Sequence, residues 1–79
     1  MEGNNLNLRL DKGCTIQFMY TNWKGEQAMR TAFVYDVYWG SNEWHTEDQW
    51  LLHALDEDKG EPRYFALKDM SEVVEIYQI

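Results

Sequence analysis

The residues able to do chemistry in this chain are few and unevenly placed. Arg30 and Arg63 fall on stretches that read as β-strands. A guanidinium there either meets the phosphate of a ligand or pairs with a cross-strand acid such as Glu26 or Glu61. Between them, from Glu43 to Asp58, run six acids without a single Lys or Arg, together with Trp44 and Trp50. An acidic surface carrying indoles steers a basic partner by long-range attraction and docks it through the aromatic. The same acids also serve plain solubility. Glu43, Trp44, His45, Glu47 and Asp48 are the candidates for such a protein-binding loop. Trp44, between Glu43 and His45, has no apolar neighbour in sequence to bury it. It either stands out as an anchor or folds back as a lid over one end of the domain.

Other chemistry finds less support. His45, Glu47, Asp48 and His53 carry ligand-type side chains at a spacing that matches no zinc motif, so no metal or other cofactor is expected. Glu43, Glu47, Asp48 and Asp56 supply carboxylates, but nothing in the sequence marks one as a buried general acid. Cys14 begins a strand, and Ser41 and Ser71 lie in turns, without a base to match them. The expectation is a binding protein and not an enzyme. Fourteen acids against seven Lys plus Arg give a formal net charge of −7, which repels phosphate backbones and argues against non-specific nucleic-acid binding. One cysteine cannot close an internal disulfide, the first five residues lack the pattern of a secretory signal, and no run approaches the roughly 18 apolar residues of a spanning helix. Those features read as one cytoplasmic domain over residues 1–79, away from membranes.

The elements that must position these residues are mostly strands. Leu6, Leu8 and Leu10 alternate with polar residues, as in a short edge strand or, alternatively, one helical turn. Cys14, Ile16, Phe18 and Tyr20 then share one face of a strand. Thr21 to Gly25 has turn chemistry. From Glu26 to Trp39 no Gly or Pro intervenes, which predicts one strand of fourteen residues. At 3.3 Å per residue it would span about 46 Å, so a globule this small holds it only if it bends. A polar loop runs from Gly40 to about Asp48, and Trp50 to Leu55 reads as a central apolar strand. Asp56 to Gly60 is a hairpin turn, and Arg63 to Leu67 returns with Pro62 at its start. A single helical turn at Lys68 to Ser71 precedes a last strand, Glu72 to Ile79. Mostly β, with five strands and one short helical turn before the last, this is the pattern of a small Sm-like (SH3-like) barrel, a curved sheet closed on itself.

Ile16-Gln17-Phe18-Met19-Tyr20, Lys24-Gly25-Glu26, Arg30, Gln49-Trp50-Leu51-Leu52-His53-Ala54 and Arg63-Tyr64-Phe65-Ala66-Leu67-Lys68-Asp69 together resemble the WYL domain, over roughly residues 14–72. Trp39-Gly40-Ser41 followed by Trp44-His45 is similar to its short, free-standing, phage-encoded versions. The resemblance implies an Sm-like barrel that binds a ligand, a nucleotide or oligonucleotide, with Tyr20, Arg30, Trp50 and Arg63 at the family's aromatic and basic positions. The two arginines would then grasp an anionic group bidentately while an aromatic ring stacks on a base. The chain departs from the family at Val34, Leu51, Ala66 and Asp69; the last two replace basic residues, and Lys68 stands beside them as a substitute cation. Two binding functions follow as expectations: a small anionic ligand held by Tyr20, Arg30, Trp50, Arg63 and Lys68, or a host protein, such as a nucleic-acid-binding defence component, inhibited through the acidic loop. Open sheet edges would also favour a homo-oligomer.

Overall fold

The computed structural model describes residues 10–76. The expected strand at Leu6, Leu8 and Leu10 therefore lies outside the described residues except for Leu10, which packs against the core. Five strands are present: β1 (Thr15–Thr21), β2 (Gln27–Gly40), β3 (Gln49–Asp56), β4 (Glu61–Ala66) and β5 (Met70–Ile76), with a single 3-10 turn at Leu67–Asp69 before the last. All pairings are antiparallel, in the order β4-β3-β2-β1-β5.

Local chemistry fixes the first reversal. The Asn22 side-chain oxygen accepts the backbone N–H groups of Lys24 and Glu26, both at 2.9 Å. Gly25, with φ +83°, supplies the left-handed residue that such a turn needs.

The long strand is real, and the way it bends explains the fold. Residues 27–33 of β2 pair with β1, whereas residues 32–40 pair with β3, so the two neighbours share only Ala32 and Phe33. The register with β3 shifts between Val34 and Asp36, leaving Tyr35 as an extra residue. A bulge of that kind bends a strand and sharpens its twist. The longest dimension of the described chain is 36 Å, less than a straight β2 would reach.

The curl stops short of the closed cylinder expected from the sequence. β4 and β5 are the two edges of the sheet and share no ladder. The chain crosses between these edges in the three residues of the 3-10 turn, and the Tyr20 hydroxyl on β1 accepts the Ala66 N–H at 3.0 Å. A side chain thus satisfies a backbone donor at the end of β4 that closure would have given to a neighbouring strand.

Alternation along the strands puts Ile16, Phe18, Ala32, Val34, Leu52, Ala54 and Phe65 into one buried cluster on the inner face. Leu51 and Ala66, paired across β3 and β4, are buried on the opposite face by the same parity. The inner row of β3 continues from Leu52 and Ala54 to Asp56, a charged residue that is completely buried. No helix among the described residues is long and apolar enough to cross a membrane.

Candidate functional site

Asp56 sits at the end of β3, where its two carboxylate oxygens do different work. One, Oδ1, accepts the N–H groups of Asp58 at 3.0 Å and Lys59 at 3.3 Å, which folds the acidic hairpin turn. The other, Oδ2, lies 3.9 Å from Arg30 Nη1 and 3.8 Å from Arg63 Nε. The register brings these groups together: Arg30 faces Phe18 across β1, Asp56 faces Ala32 across β2, and Arg63 faces Ala54 across β3. Directly opposed residues share a face, so all three point inward. The cross-strand partners expected for the arginines, Glu26 and Glu61, are thus replaced by one buried acid. Neither contact is short enough for a hydrogen bond. Arg30 Nε likewise has no hydrogen-bond partner.

Beside this cluster lies a cleft of about 920 Å³, walled by β4 with the 3-10 turn on one side and the loop of residues 41–48 on the other. It brings together Tyr20, Arg63 and Lys68 from the expected ligand site with Trp44, His45 and Glu47 from the expected protein-binding loop. Members of both sets thus border one open cleft, Arg63 from the inner face of β4 and Trp44, through Tyr64, from its outer face. Arg30 does not line it, since its guanidinium turns to Asp56. Trp50 does not either: it packs edge-on against Trp39, ring centroids 5.6 Å apart. Glu43 and Asp48 are exposed outside the lining.

Trp44 is both exposed and held. It is 71 % accessible, yet its ring lies nearly parallel to that of Tyr64, with 22° between planes and 6.5 Å between centroids. Asn42 sets the loop that carries it, accepting the N–H groups of Trp44 at 3.0 Å and His45 at 2.8 Å on its side-chain oxygen. The His45 ring approaches the Tyr64 carbonyl at 3.4 Å and ties the loop to β4. Tyr64 is in turn stacked on His53, 4.4 Å away and 9° from parallel. The indole is therefore the outer member of a series of three rings, exposed to solvent while resting against β4. His53 is occupied by that stack, and among the described residues no three His, Cys, Asp or Glu side chains gather as a metal ion would need.

The expected site residues did not include Trp23, Tyr64, Glu61 and Asp69, which also line the cleft. Trp23 is 88 % accessible, with the Lys24 ammonium 5.3 Å from its ring. Sequence reasoning missed Asp56 as the partner of both arginines. The signal was there, because Leu52, Ala54 and Asp56 alternate and an apolar row ending in an acid demands a buried cation.

Burial pushes the Tyr20 phenol above its ordinary pKa; the Ala66 amide and, more weakly, Arg63 and Arg30 pull it back, while Asp69 adds to the rise. An unfolded chain loses this proton near pH 10, roughly the ordinary tyrosine value, while the folded chain still holds it. The contribution of Tyr20 to stability is therefore intact below about pH 10 and declines as the pH rises toward the higher folded value. Urea midpoints should fall across that alkaline interval. Tyr20→Phe should flatten the fall while lowering stability by about 1–3 kcal/mol, because Ala66 N–H loses its acceptor. Equal slopes in the two proteins would show that another group titrates.

Compared with known proteins, the chain matches no family model and no curated protein.

Proposed function

We propose that this chain is a non-enzymatic, WYL-like binding module that docks a basic segment of a partner protein in the cleft between the 41–48 loop and β4, and so acts as an inhibitor of that partner. The observation that carries this reading is the occupation of the arginines. Arg30 and Arg63 face the buried Asp56, while the cleft is lined by Glu47, Glu61 and Asp69, none of which has an ion pair among the described residues. These three carboxylates outnumber Arg63 and Lys68 in the lining, and a net charge of −7 over the whole chain draws cations toward the protein and repels phosphates at long range. A target that itself binds nucleic acid, with a basic surface, suits this charge.

A second reading, a small anionic ligand such as a nucleotide, is favoured by one observation: Tyr20, Arg63 and Lys68 line the same cleft. Ligand phosphate would have to compete with Asp56 for Arg63.

One titration separates the two. A short Arg/Lys-rich peptide, an acidic peptide of equal length, and mono-, di- and cyclic nucleotides are added to the protein while tryptophan fluorescence is followed. The expected result is saturable binding of the basic peptide alone, weakened by added salt and by Trp44→Ala but not by Trp39→Ala, which removes another exposed indole, away from the cleft. Binding of nucleotides without binding of the basic peptide overturns the proposal in favour of the anionic ligand.

A further inference from the structure

Three features of the cleft narrow the kind of cation it takes. The first is the shape of the Trp44 platform. His53, Tyr64 and Trp44 form a near-parallel series of rings, and the indole that ends the series is 71 % accessible and borders the cleft. Only a flat group continues such a stack. A guanidinium is planar, weakly hydrated and able to lie on an aromatic face, whereas an ammonium is a compact, strongly hydrated point charge.

The second feature is preorganisation. The Asn42 side chain pins the Trp44 and His45 amides, Asn42 N–H donates to the His45 carbonyl at 2.8 Å, and His45 reaches Tyr64. An indole already fixed in place loses little freedom when a ligand lands on it, so the stacking energy is kept. The third feature is the pattern of cations the molecule already holds. Lys24 covers Trp23 and the Arg63 guanidinium lies 6.0 Å from the Phe65 ring centre. Among the described residues no cation covers Trp44. Glu47, Glu61 and Asp69 around the same cleft present carboxylates, and the fork of a guanidinium pairs with a carboxylate through two parallel N–H donors. Arg63 and Lys68 also line the cleft, but Arg63 is turned to Asp56 and cannot cancel all three acids.

We infer that the cleft reads an arginine side chain of the partner segment, laying its guanidinium on the free face of Trp44 within reach of the cleft carboxylates. This inference rests on the docking reading above and sharpens it from a basic segment to one residue type.

The test compares three peptides identical except at one position, which holds arginine, lysine or the neutral, planar citrulline. Calorimetry is done on the full chain and on its Trp44→Ala and Trp44→Phe variants, with circular dichroism to confirm that each is folded. The arginine peptide should bind about two- to five-fold more tightly than the lysine peptide, a difference of the size that one exposed cation–π contact supplies. Citrulline should bind most weakly, since it keeps the plane but not the charge. Trp44→Ala should remove the preference for arginine over lysine, and Trp44→Phe should keep part of it. Equal binding of arginine and lysine peptides, or a preference that survives Trp44→Ala, overturns the arginine inference and leaves the docking reading standing. Absence of binding by all three overturns both.

Discussion

Asp56→Ala should destabilise the folded chain by about 3–5 kcal/mol, the range expected when one member of a buried charge cluster is removed and its partners stay behind. The loss has two sources. At Oδ1 the variant abandons the N–H groups of Asp58 and Lys59 that shape the β3–β4 turn. At Oδ2 it abandons two guanidinium groups of unequal standing: the Arg30 side chain is 18 % accessible and that of Arg63 is 43 % accessible. Arg63 swings out and regains water, so little of the cost falls there. Arg30 has no such exit. A chain of 79 residues holds roughly 4–12 kcal/mol of total stability, so the substitution consumes a large share and lowers Tm by roughly 12–40 °C, or unfolds the chain outright. Asp56→Asn keeps the turn acceptor and loses only the charge, and should fall between the alanine variant and the native chain. Arg30→Met combined with Asp56→Ala should recover part of the loss, because an apolar side chain of similar volume needs no counter-ion. Urea denaturation followed by tryptophan fluorescence measures all three. A cost near that of an ordinary surface change, about 0.5 kcal/mol, would mean that water compensates Arg30 as well as Asp56 does.

The same cluster shows how far the sequence could be read. The strands were legible because alternation is a local property: Ile16, Phe18 and Tyr20 declare one face of β1 whatever they pack against. The fourteen-residue β2 was legible from the lack of any breaker, and its bend from simple length. Closure was not legible. Whether the edges of a curled sheet pair depends on where the last strand lands, and here the three-residue turn after Ala66 and the Tyr20 hydroxyl hold the edges together without a ladder. Site residues were found when their type was conspicuous, as with Trp44, Arg63 and Lys68, and misplaced when register decided. Trp50 differs from Leu51 by one position, and that step puts its indole beside Trp39 and away from the cleft. Arg30 was expected to meet a ligand phosphate or a cross-strand acid such as Glu26, but the acid it faces lies twenty-six positions away at the far end of β3, beyond the reach of any local pattern.

Phe18→Ala is the second large expected effect, about 3–5 kcal/mol, and it tests what holds the open sheet in its curl. Phe18 is fully buried on β1. Its ring meets that of Phe65 on β4 edge-to-face at 5.1 Å and that of Tyr20 at 6.3 Å, while Tyr20 meets Phe65 at 5.0 Å. β1 and β4 are not neighbours in the sheet, so these three rings pack across its hollow. Each edge-to-face pair adds about 0.5–1.5 kcal/mol beyond simple burial. Alanine removes two of the three contacts and leaves a void that collapse can fill only by moving β4 toward β1. That movement would drag Arg63 and the wall of the cleft with it. Phe18→Leu, which keeps most of the volume but no ring, should cost distinctly less and leave the cleft in place. Binding of the arginine peptide should therefore survive Phe18→Leu and weaken in Phe18→Ala under conditions where that variant is still folded, as judged by circular dichroism. Unchanged peptide affinity in folded Phe18→Ala protein would mean that the Asn42–His45–Tyr64 contacts alone position Trp44, and that the aromatic triad serves stability without shaping the site.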